Sequence, residues 1–282
     1  MNSQGLKNTP LALRLLVQVI FILYAFSILF VIYYMVVNGS KTQADYAVSR
    51  ILPGSTFEWR NYYDVWVKHG LGAAFMNSFA YSTISVLCTL LFSSLAAFAF
   101  SLLEFPGRTI LYWIILITMY MSAITLIIPL YLQFISLGLN NSPAGLIILY
   151  TGTRLAFSIF LLTTYFNSLS REMFEAARID GCGDMRILFS IIMPLSKPTL
   201  VTLIILNFSS AWNDLFFASI FLQNPKLSTV MMVVAGFKGG KYMVNFVYIF
   251  TSLAILVIPL IILYMLGQKY FTAGIMSGSV KE

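Results

Sequence analysis

Charge is what this sequence has least of: Asp, Glu, Lys and Arg together make up 10% of the residues, alongside one histidine and two cysteines. A water-facing surface cannot be built from so few charges, because soluble proteins rarely expose large continuous apolar patches. The lone histidine, His69, rules out any His–His metal pair and reads as a surface residue rather than a general base. Cys88 falls in an apolar run and Cys182 in a charged loop, with no ligand spacing between them, so disulfide and zinc frameworks drop out. Neither a G-x-S-x-G nucleophile elbow nor a G-x-x-x-x-G-K-[ST] phosphate loop occurs. The chain therefore offers no catalytic residues and no metal site, and any ATP-driven work must draw on a separate ATPase.

What fills the space is apolar. Hydrophobic residues make up 59% of the 282, and the mean hydropathy is +0.87, so lipid is the solvent for most of the chain. The net charge of +7 and the pI near 9.4 do not point to nucleic acid, because the basic residues sit at the ends of apolar runs, as membrane flanks do. Six runs meet the length criterion for a span, at residues 15–37, 73–100, 109–134, 144–166, 198–222 and 245–266. The expected fold is all-α, with six transmembrane helices. The first run follows Lys7 and Arg14, exceeds a signal-peptide core and has no small-x-small cleavage pattern after it, so it reads as a retained span.

Between the first two runs, residues 38–72 carry Pro53, Gly54, Tyr46, Tyr62, Tyr63, Trp59 and Trp66. Such aromatics favour the headgroup region, which places this connection along the membrane surface. Pro106-Gly107, the segment Gly138 to Pro143, and Asn224-Pro225 mark further turns. An N-terminus inside leaves nine basic residues on the inner side against seven outside, a narrow margin. The second run carries a small-residue face at Ser78, Ser82, Ser85, Ser93, Ala96 and Ala97, a pattern that lets membrane helices pack closely.

One polar segment, 167–197, separates the fourth and fifth runs. Ser170 is placed to cap a helix whose first turns carry Glu172 and Glu175, where negative charge favours helix formation. Ala176 and Ala177 are strong helix formers that leave no bulk in the way of another backbone. Gly181 and Gly183 suit a left-handed helix stop, Asp184 suits the N-cap of a second short helix, and Pro194 suits its end. The expected product is a stiff helix–turn–helix.

The spacing Glu175-Ala176-Ala177, three residues, Gly181, nine residues, Ile191-Ile192-Met193-Pro194 resembles the coupling loop of ABC importer permeases, with Met193 where the family usually has leucine. Other segments resemble the carbohydrate importers of that family, in particular the shorter six-span subunit of the maltose type. They are Phe98-Ala99-Phe100 with Phe105 to Arg108, Pro129-Leu130-Tyr131-Leu132, Leu137-Gly138-Leu139, Trp212-Asn213-Asp214 and the tail from Gln268. Leu155-Ala156-Phe157 departs from it, since the family often has proline before that phenylalanine.

The resemblance implies a type I ABC importer transmembrane domain over 73–267. Residues 1–72 precede it, with a cytoplasmic stretch, the first span and an external loop, and a cytoplasmic tail at 268–282 follows. It implies a multi-pass protein of a bacterial or archaeal cytoplasmic membrane, surrounded by lipid, with both termini inside. The implied partners are a second permease subunit, usually a different chain, two ATPase subunits that use ATP and Mg, and an extracytoplasmic solute-binding protein. This chain would bind no cofactor and no nucleic acid. Glu175, Ala176, Ala177, Asp180, Gly181 and Pro194 become the ATPase-coupling residues, Glu175 the most sensitive.

Within the membrane, Arg154 is costly, roughly 2.5–3.5 kcal/mol on insertion scales. It lies about 15 Å below the outer boundary and Asp214 about 12 Å below it, at about 1.5 Å per residue. An ion pair between the two is the expectation. It reads either as a structural pair or as Arg154 lining a substrate path. Ser122, Thr125, Thr151, Asn207 and Asn213 lie at similar depth, and Tyr150 and Trp212 offer aromatic faces for a sugar. Each is also read as a helix–helix hydrogen bond or packing contact. The alternative functions are permeation of an amino acid or other small polar solute, since the coupling loop is shared across substrates, and a membrane-embedded enzyme.

Overall fold

The computed structural model describes the backbone of residues 11–121, 124–238 and 244–278, and among these every regular element is helical. A 29-residue helix, α1 (Leu11–Gly39), opens the chain. Two short helices follow, α2 (Gln43–Val48) and α3 (Arg60–Tyr63), the second running into a π-helical turn at Asp64–Lys68. Two uninterrupted spans come next, α4 (Leu71–Leu102) and, after the short helices α5 (Arg108–Thr118) and α6 (Ile127–Ser136), α7 (Pro143–Phe166).

The polar segment forms α8 (Arg171–Ile179), α9 (Asp184–Ile187), a π-helical turn at Leu188–Ile192 and α10 (Met193–Leu195). Then come α11 (Lys197–Trp212), α12 (Phe216–Phe221), α13 (Val230–Gly236) and α14 (Phe246–Gly278).

Four helices are long and apolar enough to cross a bilayer, α1, α4, α7 and α14, and a fifth span results if the pair bent by 80° around Ser196 counts as one. Two of the six expected spans are broken instead. The run 109–134 divides into α5 and α6, and the run 198–222 into α11 and α12. Continuous hydropathy hid the first break, whose residues are mostly apolar; the second falls at Asn213-Asp214-Leu215.

The chain divides into two compact units. In the larger, residues 71–233 with 258–282, α4 packs along α7 and α11. Ser78, Ser82, Ser85, Ser93 and Ala97 are buried in that packing, as the small-residue stripe leads one to expect. Lipid offers no hydrophobic drive for helices to pair, so close approach and dispersion contacts hold them together. At the start of α7, Ser142 accepts a bond from the Gly145 N–H (3.0 Å) with Pro143 at the first helical position. The departure at Leu155-Ala156-Phe157 leaves α7 unbroken.

In the smaller unit, residues 1–70 with 234–257, the end of α1 meets the first half of α14. A Cβ on Gly39 would lie 2.8 Å from the Thr251 Cα, and the Thr251 hydroxyl donates to the Gly39 carbonyl at 2.8 Å. Lys41, 1% exposed, donates to Asn38 Oδ1 (2.8 Å) and the Ser49 carbonyl (2.9 Å). Burial lowers its pKa from the ordinary lysine value, against the nearby Asp45 charge, which raises it. Of the aromatics assigned to the membrane surface, Trp59 and Tyr63 are exposed, whereas Tyr46 packs on Phe246.

Candidate functional site

Two groups of residues have the geometry to do work. The first is the 170–195 hairpin. Phe174 and Ala177 are buried on one side of α8, and Glu172, Glu175, Ala176 and Asp180 are exposed on the other. Gly181 takes φ +80°, the Cys182 N–H reaches back to the Ala177 carbonyl (3.0 Å), and the Gly181 N–H reaches the Arg178 carbonyl (3.0 Å). That paired-bond stop satisfies carbonyls which would otherwise be left open at a helix end. Across the turn Arg178 meets Asp184 at 3.1 Å, a solvent-facing pair that ties α8 to α9. Such pairs are worth about 0–1 kcal/mol. The hairpin is thus stiff from its backbone, with the ion pair as a small addition.

Several expectations for this segment need correction. Ser170 occupies the N-cap position in extended conformation, but its hydroxyl makes no capping bond. Gly183 has φ −71°, so only Gly181 makes the left-handed turn, and Gly183 rather than Asp184 is the N-cap of α9. Pro194 does not end the second helix. The π-helical turn before it shifts the bonding partner by one residue, the Met193 N–H bonding the Leu188 carbonyl. Proline then sits in the first turn of α10, where a missing N–H is tolerated. The break comes at Ser196, immediately before Lys197-Pro198.

Ile179, which sequence reasoning passed over, is 87% exposed at the tip of α8 among charged neighbours. An apolar side chain next to a glycine stop in a charged loop was the available signal. Beside α8 lies a cleft of about 460 Å³, walled by Phe98, Phe105, Arg108, Arg171 and Glu175 among others.

The second group lies between α7 and α11–α12. Arg154 and Asp214 do not form the expected ion pair; Tyr150 stands between them. Its hydroxyl donates to Asp214 Oδ2 (2.8 Å), and its ring lies 4.7 Å from the Arg154 guanidinium. Asp214 also accepts the N–H groups of Phe217 (3.3 Å) and Ala218 (2.9 Å), so its oxygens are spent on the turn into α12. Arg154 donates instead to the Tyr150 carbonyl (2.8 Å) and to Ser210 Oγ (3.0 Å).

The remaining pathway candidates scatter. Thr151 donates within α7 to the Ile147 carbonyl (2.8 Å), and buried Asn207 donates across to Ser158 (3.2 Å), a helix-packing bond. Tyr150 and Trp212 are each 1% exposed, Trp212 stacked on Phe208 and edge-on to Phe75, so neither presents a face to a sugar. Asn213 is exposed and donates to the Ser209 carbonyl (2.9 Å). Thr125 is exposed in the break between α5 and α6, and Ser122 lies outside the described residues.

Four helices long and apolar enough to cross a bilayer, with a stiff charged hairpin between two of the apolar segments, are the build of a multi-pass membrane protein. Residues 69–277 match the family described as binding-protein-dependent transport system inner membrane component, and the chain belongs to that family. It is similar to the melibiose/raffinose/stachyose import permease protein MelC of Bacillus subtilis, 32% identical over 251 residues covering 88% of this chain and 90% of the relative. It is 35% identical over 266 residues to the probable ABC transporter permease protein YurM of the same organism, covering 94% and 88%.

A solved structure of a bacterial ABC transporter involved in the import of the acidic polysaccharide alginate matches with a TM-score of 0.81 and 26% identity. The match covers 93% of this chain and 100% of that one. The fold is that of an ABC importer transmembrane subunit, and the chain is a multi-pass inner-membrane transport subunit, not an enzyme. Membership implies an ATPase and a solute-binding protein as partners.

Proposed function

We propose that this chain is one permease subunit of an ATP-driven importer that carries a sugar or oligosaccharide inward by alternating access. The single observation that carries the mechanism is the α8 hairpin, stopped by a paired-bond glycine turn and exposing Glu175, Ala176 and Ile179 on its outer side. The saccharide assignment draws support from relatives named for melibiose, raffinose and stachyose or for alginate.

In this reading both termini are cytoplasmic, and the hairpin seats in a cleft of one of two ATPase subunits. A second, different permease completes the pathway, and a binding protein delivers cargo from outside. The domain plan is the one read from sequence, with the transmembrane domain at 73–267 and the tail from Gln268 inside. ATP and Mg are used by the partner, and this chain holds neither. Closure of the ATPases moves the hairpin as one body, and differential contact with their open and closed states shifts the permease between inward and outward forms. Glu175, Ala176, Ala177, Asp180 and Gly181 make or shape that contact, and Pro194 holds the start of α10.

The test is reconstitution of the four-part assembly in proteoliposomes with labelled raffinose and labelled alginate oligomers. ATP-dependent accumulation of either supports the proposal. Accumulation of an amino acid with neither saccharide moving would overturn the sugar reading while keeping the importer.

A further inference from the structure

We infer that Arg154 is a specificity residue for a carboxylate-bearing sugar, so that the cargo of this permease is an acidic saccharide. The inference rests on the importer reading above and deepens it. Within that span Arg154 has no carboxylate within ion-pair reach among the described residues, because the nearest one, Asp214, is taken up by the Tyr150 hydroxyl and two backbone N–H groups. Its guanidinium is positioned from behind by the Tyr150 carbonyl and the Tyr150 ring. Its other arm reaches Ser210, which is exposed.

Ser210 shares a face of α11 with Leu206 and with Asn213 just beyond the helix end, all three exposed. A guanidinium beside such a face is not compatible with lipid, since intramembrane charges turn toward a polar path or a protein partner. Five N–H donors in a planar fork, two of them engaged here, match a carboxylate better than scattered hydroxyls do. Neutral sugars are usually held by an open aromatic face with hydroxyl partners, and the two aromatics that touch this cluster, Tyr150 and Trp212, are sealed in the core. Three donors, the Tyr150 hydroxyl and the N–H groups of Phe217 and Ala218, hold the Asp214 carboxylate on the side of α12.

The experiment is uptake by the assembled importer in proteoliposomes, with its ATPases and binding protein, of labelled trigalacturonate and labelled raffinose. Wild-type, Arg154→Met, Arg154→Lys, Asn213→Asp and Asn213→Ala proteins are compared. The expected result is ATP-dependent uptake of trigalacturonate, cut roughly tenfold to a hundredfold in Arg154→Met, the scale of losing one charged hydrogen-bonding partner. Arg154→Lys should fall between the two. Asn213→Asp adds a negative charge at an exposed position, at the cost of the amide bond to the Ser209 carbonyl, which Asn213→Ala also removes and so controls for. Asn213→Asp should lower trigalacturonate uptake about tenfold, and it keeps the test decisive if Arg154→Met does not assemble. Uptake of raffinose but not trigalacturonate, or trigalacturonate uptake indifferent to both Arg154→Met and Asn213→Asp, overturns the inference and leaves the sugar importer standing. Transport of neither saccharide overturns both.

Discussion

Replacing Gly181 by alanine isolates the backbone contribution to the stiffness of the hairpin. A Cβ at this position meets no atom within 4 Å, so no steric clash with neighbours confuses the result. What remains is φ +80°, a left-handed conformation that costs a residue with a side chain about 1–2 kcal/mol. A penalty of that size changes the ratio of formed to frayed turn about 5- to 30-fold. Fraying would release together the Cys182-to-Ala177 and Gly181-to-Arg178 bonds, and with them the Arg178–Asp184 pair.

The assay has two readings on the reconstituted importer. Hydrogen exchange at the amides of 181 and 182 should accelerate by that factor, and solute carried per ATP hydrolysed should fall. Gly181→Asn is the control, because asparagine tolerates the left-handed region, and it should lie close to wild type. If alanine, asparagine and glycine give the same exchange and the same stoichiometry, the turn is not what stiffens the hairpin.

Two further outcomes follow from the packing. Tyr150→Phe removes a charge-assisted bond to Asp214 and should cost about 1.5–3 kcal/mol, read as a lowered Tm of the detergent-solubilised protein; an unchanged Tm would mean the two backbone donors suffice. Gly39→Ala would set a Cβ against the Thr251 backbone and should cost about 1–3 kcal/mol, seen as faster exchange or proteolysis of residues 34–41. Equal protection in both proteins would refute that close approach.

The parts of this fold that the sequence made readable are those governed by length and composition. Four long apolar runs became four long helices, and the serine stripe of α4 became its packing face, because lipid punishes exposed backbone and rewards close small-residue contact. The breaks at 119–126 and 213–215 were hidden, since no proline or charge run announces the first, and Asp214 looked like a partner for Arg154 rather than a cap on α12.

The glycine stop of α8 was legible because a left-handed turn at Gly181 is a local property of the chain. Pro194 was misread because the π-helical turn before it depends on packing of Leu188 and Ile192, both 0% exposed, which spacing does not reveal. The intramembrane pair failed for a similar reason. Depth alone placed Arg154 and Asp214 at one level, but each is engaged by Tyr150, Asp214 by its hydroxyl and Arg154 by its ring.

The measurement that bears most directly on the account is site-directed cross-linking at the tip of α8. In a background with Cys88 and Cys182 replaced by serine, Ile179→Cys should cross-link to single cysteines on the ATPase surface. The yield should change between nucleotide-free and ATP-bound states, and a membrane-impermeant thiol reagent added outside intact cells should not label it. Labelling from outside, or no cross-link to the ATPase in any nucleotide state, would contradict the claim that this hairpin carries the ATPase's movement into the membrane.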